Sequence, residues 1–176
     1  MTGATDDAAA ARALLVDSFG RIRTQVSALT DELDARAAAW RPDPDANSVA
    51  WLLWHLTRVQ DDHLADLAGN RQAWTEQGWR AHFDLPYGEL DTGFGHSSAQ
   101  VGRIHADARQ LDGYHADVHS ATMRYVEKLT AAELARIVDR SWDPPVTVAV
   151  RLVSVIGDCT AHLGQAQYVL GMYRRS

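Results

Sequence analysis

Between Val146 and Tyr173 the chain runs through an apolar stretch whose helical stripe reads Val148, Leu152, Val155, Cys159, Ala166, Val169 and Tyr173. Asp158 and His162 stand on or beside that stripe, four residues apart. On a helix this spacing puts both side chains on one face, one turn apart. An ionised carboxylate cannot be buried without a partner except at high cost. Whatever fold forms here must bring a compensating group to this pair, and a metal ion shared with His162 is an economical one.

The rest of the chain supplies other faces of the same kind. Leu14, Leu15, Phe19, Ile22, Val26, Leu29 and Leu33 recur at helical spacing and predict a first helix from Asp6 to about Ala39. Pro42 and Pro44 make 40–47 a loop. Asn47 or Ser48 caps a second helix over 48–68 that stops at Gly69-Asn70. A third helix is predicted over about 98–128, with Val101, Ile104, Ala108, Leu111, His115, Val118, Thr122, Tyr125 and Leu129 on its seam. Thr130-Ala-Ala-Glu133 reads as a capping box opening a short helix. The last helix spans Thr147 to about Arg174, and no segment reads as a strand. Four long helices, each with one apolar face, predict an all-α four-helix bundle in a single domain, 1–176. The 70–97 connection between the second and third helices is long for a small domain. Its Trp74, Trp79, Phe83 and Tyr87 either wall an apolar pocket or cap the bundle.

His55 lies among Leu52, Leu56 and Val59 on the second helix and points to the core. Read with Asp158 and His162, it completes a set of two nitrogens and one oxygen from two helices. Bundles build metal sites in this way. The set suits a divalent ion such as zinc and leaves a position open for water or substrate. Arg58 and Asp62, three and seven residues on from His55, form either an exposed i,i+4 pair or part of the pocket wall, with the arginine holding an anionic group. Arg151 shares the face of Asp158, and Gln165 either orients a ligand or solvates the helix. His115 and His119 are a competing i,i+4 pair, but no glutamate follows His115 as a metalloprotease helix requires. His63, His82, His96 and His105 read as ordinary polar residues. Cys159, the one cysteine, has Asp158 beside it, which opposes a thiolate; it reads as a small buried hydrophobe. A single cysteine also excludes a disulfide framework.

A net charge of −6 argues against general binding to nucleic acid or anionic membrane. The absence of a basic, apolar N-terminal leader or of about 18 consecutive apolar residues makes the cytoplasm the default location. Sixteen arginines against one lysine are what a GC-rich coding sequence gives.

Three stretches together resemble the DinB-like superfamily of metal-dependent four-helix proteins: Asn47-Ser-Val-Ala-Trp51-Leu-Leu-Trp54-His55-Leu56, Thr92-Gly-Phe-Gly-His96, and Asp158-Cys-Thr-Ala-His162-Leu-Gly-Gln165. The resemblance implies that His55, Asp158 and His162 bind a divalent metal, zinc or nickel. Asp158 stands where three histidines are the commoner pattern. Mycothiol-dependent maleylpyruvate isomerases are similar there, with glutamate in that role. By the same resemblance the chain is expected to be a mycothiol S-transferase of an actinobacterial branch, conjugating that small thiol to electrophiles in detoxification. Asp62 or a water would take the thiol proton, and Arg58, Arg151 and Gln165 would contact the cosubstrate. A metal-dependent hydrolase and a non-enzymatic binding or stress protein are the alternatives, with monomer and homodimer both open.

Overall fold

The computed structural model describes residues 3–176. Nine helices and one small hairpin follow one another along the described residues: α1 (Gly3–Asp31), α2 (Ala35–Ala39), α3 (Val49–Ala68), α4 (Ala73–Glu76), α5 (Trp79–Phe83), α6 (Ser98–Val101), α7 (Ala108–Val126), α8 (Ala131–Leu134), β1 (Ile137–Asp139), β2 (Val146–Thr147) and α9 (Val148–Tyr173). The long helices α1, α3, α7 and α9 form the expected bundle. α3 packs on both α9 and α7, and α1 packs on both α7 and α9.

The termini of α3 and α9 follow directly from side-chain chemistry. Ser48 accepts a hydrogen bond from the Trp51 amide and opens α3; Thr147 accepts one from the Val150 amide and opens α9. The predicted stripe of α9 is the buried one: Val148, Leu152, Val155, Cys159 and Ala166 are all but inaccessible. They meet Leu52 and Leu56 of α3, Phe19 and Val26 of α1, and Leu111 and Val118 of α7 in one core. Burial of each such aliphatic side chain stabilises the fold by about 1.5–3 kcal/mol.

Five local expectations are corrected. The first helix does not run to Ala39. It stops at Asp31, and Asp34, accepting from the amides of Arg36 and Ala37, starts a separate helix. Leu14, read as a core position, is exposed. The third helix is interrupted between Val101 and Ala108, because Asp107 and Gln110 form a reciprocal capping box that starts α7 afresh. The apolar seam continues across the break, which is why periodicity read through it. At Thr130 only half of the expected box forms: Thr130 accepts from the Glu133 amide, but the Glu133 carboxylate turns to Arg136 and Tyr125. Finally, β1 and β2 pair antiparallel, with Ile137 opposite Thr147 and Asp139 opposite Val146. Strands of two and three residues are too short for alternation to show.

Candidate metal centre

On α9, His162 donates from Nδ1 to the carbonyl of Asp158 at 2.9 Å. The proton is thereby placed on Nδ1, and Nε2 keeps its lone pair. Asp158 Oδ2 is buried without a hydrogen-bond partner and lies 3.3 Å from His162 Nδ1. On α3, His55 is buried against Trp51, their rings stacked at 4.6 Å. Its Nδ1 lies 2.6 Å from the Thr92 carbonyl, so it too donates from Nδ1 and keeps a free Nε2. The His55 and His162 rings meet edge to face with centroids 4.6 Å apart. One ligand atom from each of His55, Asp158 and His162 lies within 4.8 Å of the others.

Burial and charge act differently on the three groups. Burial lowers the His55 pKa, against the pull of the Thr92 carbonyl, and favours the neutral ring. Burial pushes Asp158 up, but the adjacent His162 ring, with His55 behind, outweighs it and holds the carboxyl below its ordinary value. His162 is raised by the same carboxylate, against its own burial. A buried anionic oxygen without a donor and two imidazole nitrogens whose opposite nitrogens are bonded to backbone carbonyls make a donor set that fits a divalent ion. These three residues are a possible metal-binding triad.

His55 and Asp158 of this triad line a cavity of about 270 Å³, together with Val59, Asp62, His63, Thr92 and Phe94. Phe94 is 91% exposed and stands at its rim. A larger surface depression, about 420 Å³, lies between Arg71 and Glu89. Among the described residues it holds no trio of metal-ligating groups.

The other expected residues are placed as follows. Asp62 lines the cavity, half-exposed, and accepts from Gln72 Nε2 at 2.7 Å. Arg58 is corrected: it is neither an exposed partner of Asp62 nor open to the cavity. Its guanidinium is inaccessible and donates to the Asp91 carbonyl, the Glu89 carbonyl, Gln72 Oε1 and the Tyr114 hydroxyl, 3.7 Å from Asp61 and over the Trp74 ring. Its carboxylate partner is one residue away from the expected one, because Asp61 and not Asp62 faces inward. Arg151 lies 3.5 Å from His63 Nδ1 and 3.4 Å from Asp139 Oδ2, beside the cavity. Gln165 is exposed. Cys159 is inaccessible, between the Leu56 carbonyl and Gln60, and burial raises its thiol pKa far above the ordinary value. Trp74 and Phe83 are buried against Tyr114, so these two side chains of the connection cap the bundle.

Three residues at the site were given no role from the sequence. His63 lines the cavity. Thr92 contributes a carbonyl, which no side-chain pattern announces. His96, read as ordinary, is half-buried, its side chain 3% exposed; it accepts from Trp51 Nε1 at 3.2 Å and lies 3.1 Å from Asp91 Oδ1. The available signal was helical arithmetic: Trp51 is one turn before His55, on the same face.

Comparison with known proteins agrees with the fold. The profile described as the DinB superfamily matches residues 18–166. A solved structure, the conserved protein of locus from Enterococcus faecalis, is 28% identical and superposes with a TM-score of 0.83, covering 89% of this chain and 93% of that one. No curated protein matches the chain. With a helical bundle of this topology and a profile match over most of its length, the chain belongs to the DinB superfamily.

Proposed function

We propose that this protein is a metal-dependent S-transferase that joins mycothiol to an electrophilic small molecule, with His55, Asp158 and His162 holding zinc or, alternatively, nickel. The observation that carries the reading is the convergence of one ligand atom from each of His55, Asp158 and His162 within 4.8 Å, with both imidazoles bonded through Nδ1 to backbone carbonyls and Asp158 Oδ2 left without a hydrogen-bond partner. A divalent ion held there lowers the pKa of a coordinated thiol enough to keep it as thiolate. The protein then needs no nucleophile of its own, consistent with the burial of Cys159. Asp62 is the proton acceptor: its carboxylate faces the cavity, and Gln72 fixes its orientation through Oδ1. Burial and the nearby Arg151 lower the pKa of His63, which favours its neutral ring. Arg151 and Gln165 are the cosubstrate contacts in this reading. Arg58, enclosed by protein, belongs to the scaffold. Phe94 gives the acceptor an apolar edge to rest on. The arginine-rich composition favours mycothiol over other small thiols.

The experiment uses protein purified without a histidine tag. Mycothiol, glutathione and bacillithiol are offered with a generic electrophile, with and without added zinc or nickel. Metal-dependent conjugation selective for mycothiol is expected. Failure to recover or bind any divalent metal would remove the site. A second reading, hydrolysis by a metal-bound water, draws on Asp62 as a carboxylate placed to act as general base. Turnover with no thiol added would select it over transfer.

A further inference from the structure

We propose that the turn 91–96 is the positioning element of the metal centre: the Thr92 carbonyl decides which nitrogen of His55 carries the proton, and Gly93 is the residue that lets that carbonyl reach it. The proposal rests on reading His55 as a metal ligand.

On α3, Trp51, His55 and Arg58 fall at i, i+4 and i+7, a single stripe. Each grips one point of the same turn. Trp51 Nε1 donates to His96 Nδ1 at 3.2 Å, His55 Nδ1 to the Thr92 carbonyl at 2.6 Å, and Arg58 Nε to the Asp91 carbonyl at 3.0 Å. The turn is also closed on itself. Asp91 Oδ1 accepts from the Gly93 amide at 2.8 Å and from His96 Nε2 at 3.1 Å. His96, accepting at Nδ1 and donating at Nε2, is a strut between α3 and the turn.

Gly93 sits where the turn crosses the His55 ring. Its φ is +91°, a conformation that side-chain-bearing residues rarely adopt. A Cβ there would stand 2.8 Å from the Trp54 ring, 3.1 Å from His55 Nδ1 and 3.3 Å from the Trp51 ring. An alanine would therefore lift the turn off α3 and withdraw the carbonyl. Gly95 provides the matched comparison. Its φ is +75°, but a Cβ on it meets nothing within 4 Å. The two glycines share the backbone constraint, and only one touches the ligand.

Neutral imidazole exists as two tautomers, and a ligand nitrogen is available only when the other holds the proton. With the carbonyl in place Nε2 is always free; without it, the ring divides between two forms and turns more freely. Loss of such an orienting partner typically weakens metal binding about 10- to 100-fold.

The test compares the full-length wild type with Gly93→Ala and Gly95→Ala. Long-range proton–nitrogen correlation spectra of the metal-free proteins report the protonated nitrogen of His55. Competition with a chromophoric chelator reports zinc affinity. The expected result is Nδ1–H in wild type and Gly95→Ala, mixed tautomers in Gly93→Ala, and zinc affinity lowered about 10- to 100-fold in Gly93→Ala alone. Wild-type tautomer and zinc affinity in Gly93→Ala, or Nε2–H in the wild type, would overturn the proposal. If Gly93→Ala does not fold, Asp91→Asn replaces it. That variant adds no volume and faces His96 Nε2–H with a donor or a weaker acceptor, so both readouts should move the same way. Wild-type behaviour in Asp91→Asn then overturns it. If the wild type binds no zinc, the functional reading fails by itself, and the tautomer spectra still decide the role of Thr92 and Gly93.

Discussion

Two pairs of ligand-type residues in this protein have the same spacing and different surroundings. Asp158 and His162 on α9, and His115 and His119 on α7, each lie four residues apart with one member at or near the core. The α9 pair meets His55 from a neighbouring helix, has both imidazoles oriented by backbone carbonyls, and opens on a cavity. The α7 pair has none of this. Both ring nitrogens of His115 and Nδ1 of His119 are buried without a partner, and the two rings lie nearly parallel with centroids 6.5 Å apart. The charged and titratable groups felt by His115 are Arg23, His119 and Asp112, and Arg23 repels a cation. Spacing on one helix supplies at most two ligands. A metal site further requires a third group from another helix, fixed tautomers and a route in.

The comparison can be broken most forcefully through the scaffold behind His55. Arg58→Met leaves Asp61 buried without its cation and takes one grip from the turn; such a loss costs about 3–5 kcal/mol, read by chemical denaturation. His162→Ala, next, should abolish the zinc-induced stabilisation. That stabilisation is about 2.7 kcal/mol at a hundredfold excess of metal over its dissociation constant, visible as a rise in Tm. His115→Leu should leave it intact, and the reverse pattern would move the site to α7.

His115 makes its own prediction, in pH. Burial, with Arg23 adding to it, takes the His115 pKa from 6.5 down to about 3. Below the unfolded value the unfolded chain takes up a proton that the folded chain refuses. Stability should therefore be unaffected above about pH 6.5 and fall progressively as pH drops from there towards 3. About 2 kcal/mol is at stake between roughly pH 6.5 and 5, and denaturation of His115→Leu over that range should show a flatter acid limb. The smallest effect belongs to Asp158→Glu. It keeps the charge and adds one methylene, so zinc affinity should change by less than about tenfold, or 1.4 kcal/mol, in competition titrations.

The bundle was legible because its helices are long and their apolar faces are periodic; α9 runs as read, from the Thr147 cap to Tyr173. The breaks at Asp34 and Asp107 were harder, since a capping aspartate changes the path of the backbone without disturbing the apolar register. The convergence of His55, Asp158 and His162 was legible from three buried-face polar residues on two helices. What backs them was not. Arg58 carries the sequence signature of a surface pair, and only the packed connection shows that its partners are carbonyls of residues 89 and 91. The contribution of Thr92 is a main-chain oxygen, and every residue has one. The glycines on either side of Phe94 were the visible trace of that turn, but a glycine marks unusual backbone without saying what lies beneath it.

The enclosure of Cys159 also bears on durability. A protein with the proposed activity would be exposed to alkylation by its electrophiles, and a thiol one residue from Asp158 would be the first casualty if it faced the cavity. Here the sulfur looks the other way, towards the Leu56 carbonyl and Gln60, protonated and out of reach of solvent. Reagents that would silence an accessible cysteine find none among the described residues. Irreversible loss of activity under a thiol-reactive compound would then report attack on some other side chain or on the folded state itself, and mass spectrometry should find Cys159 unmodified for as long as the bundle holds.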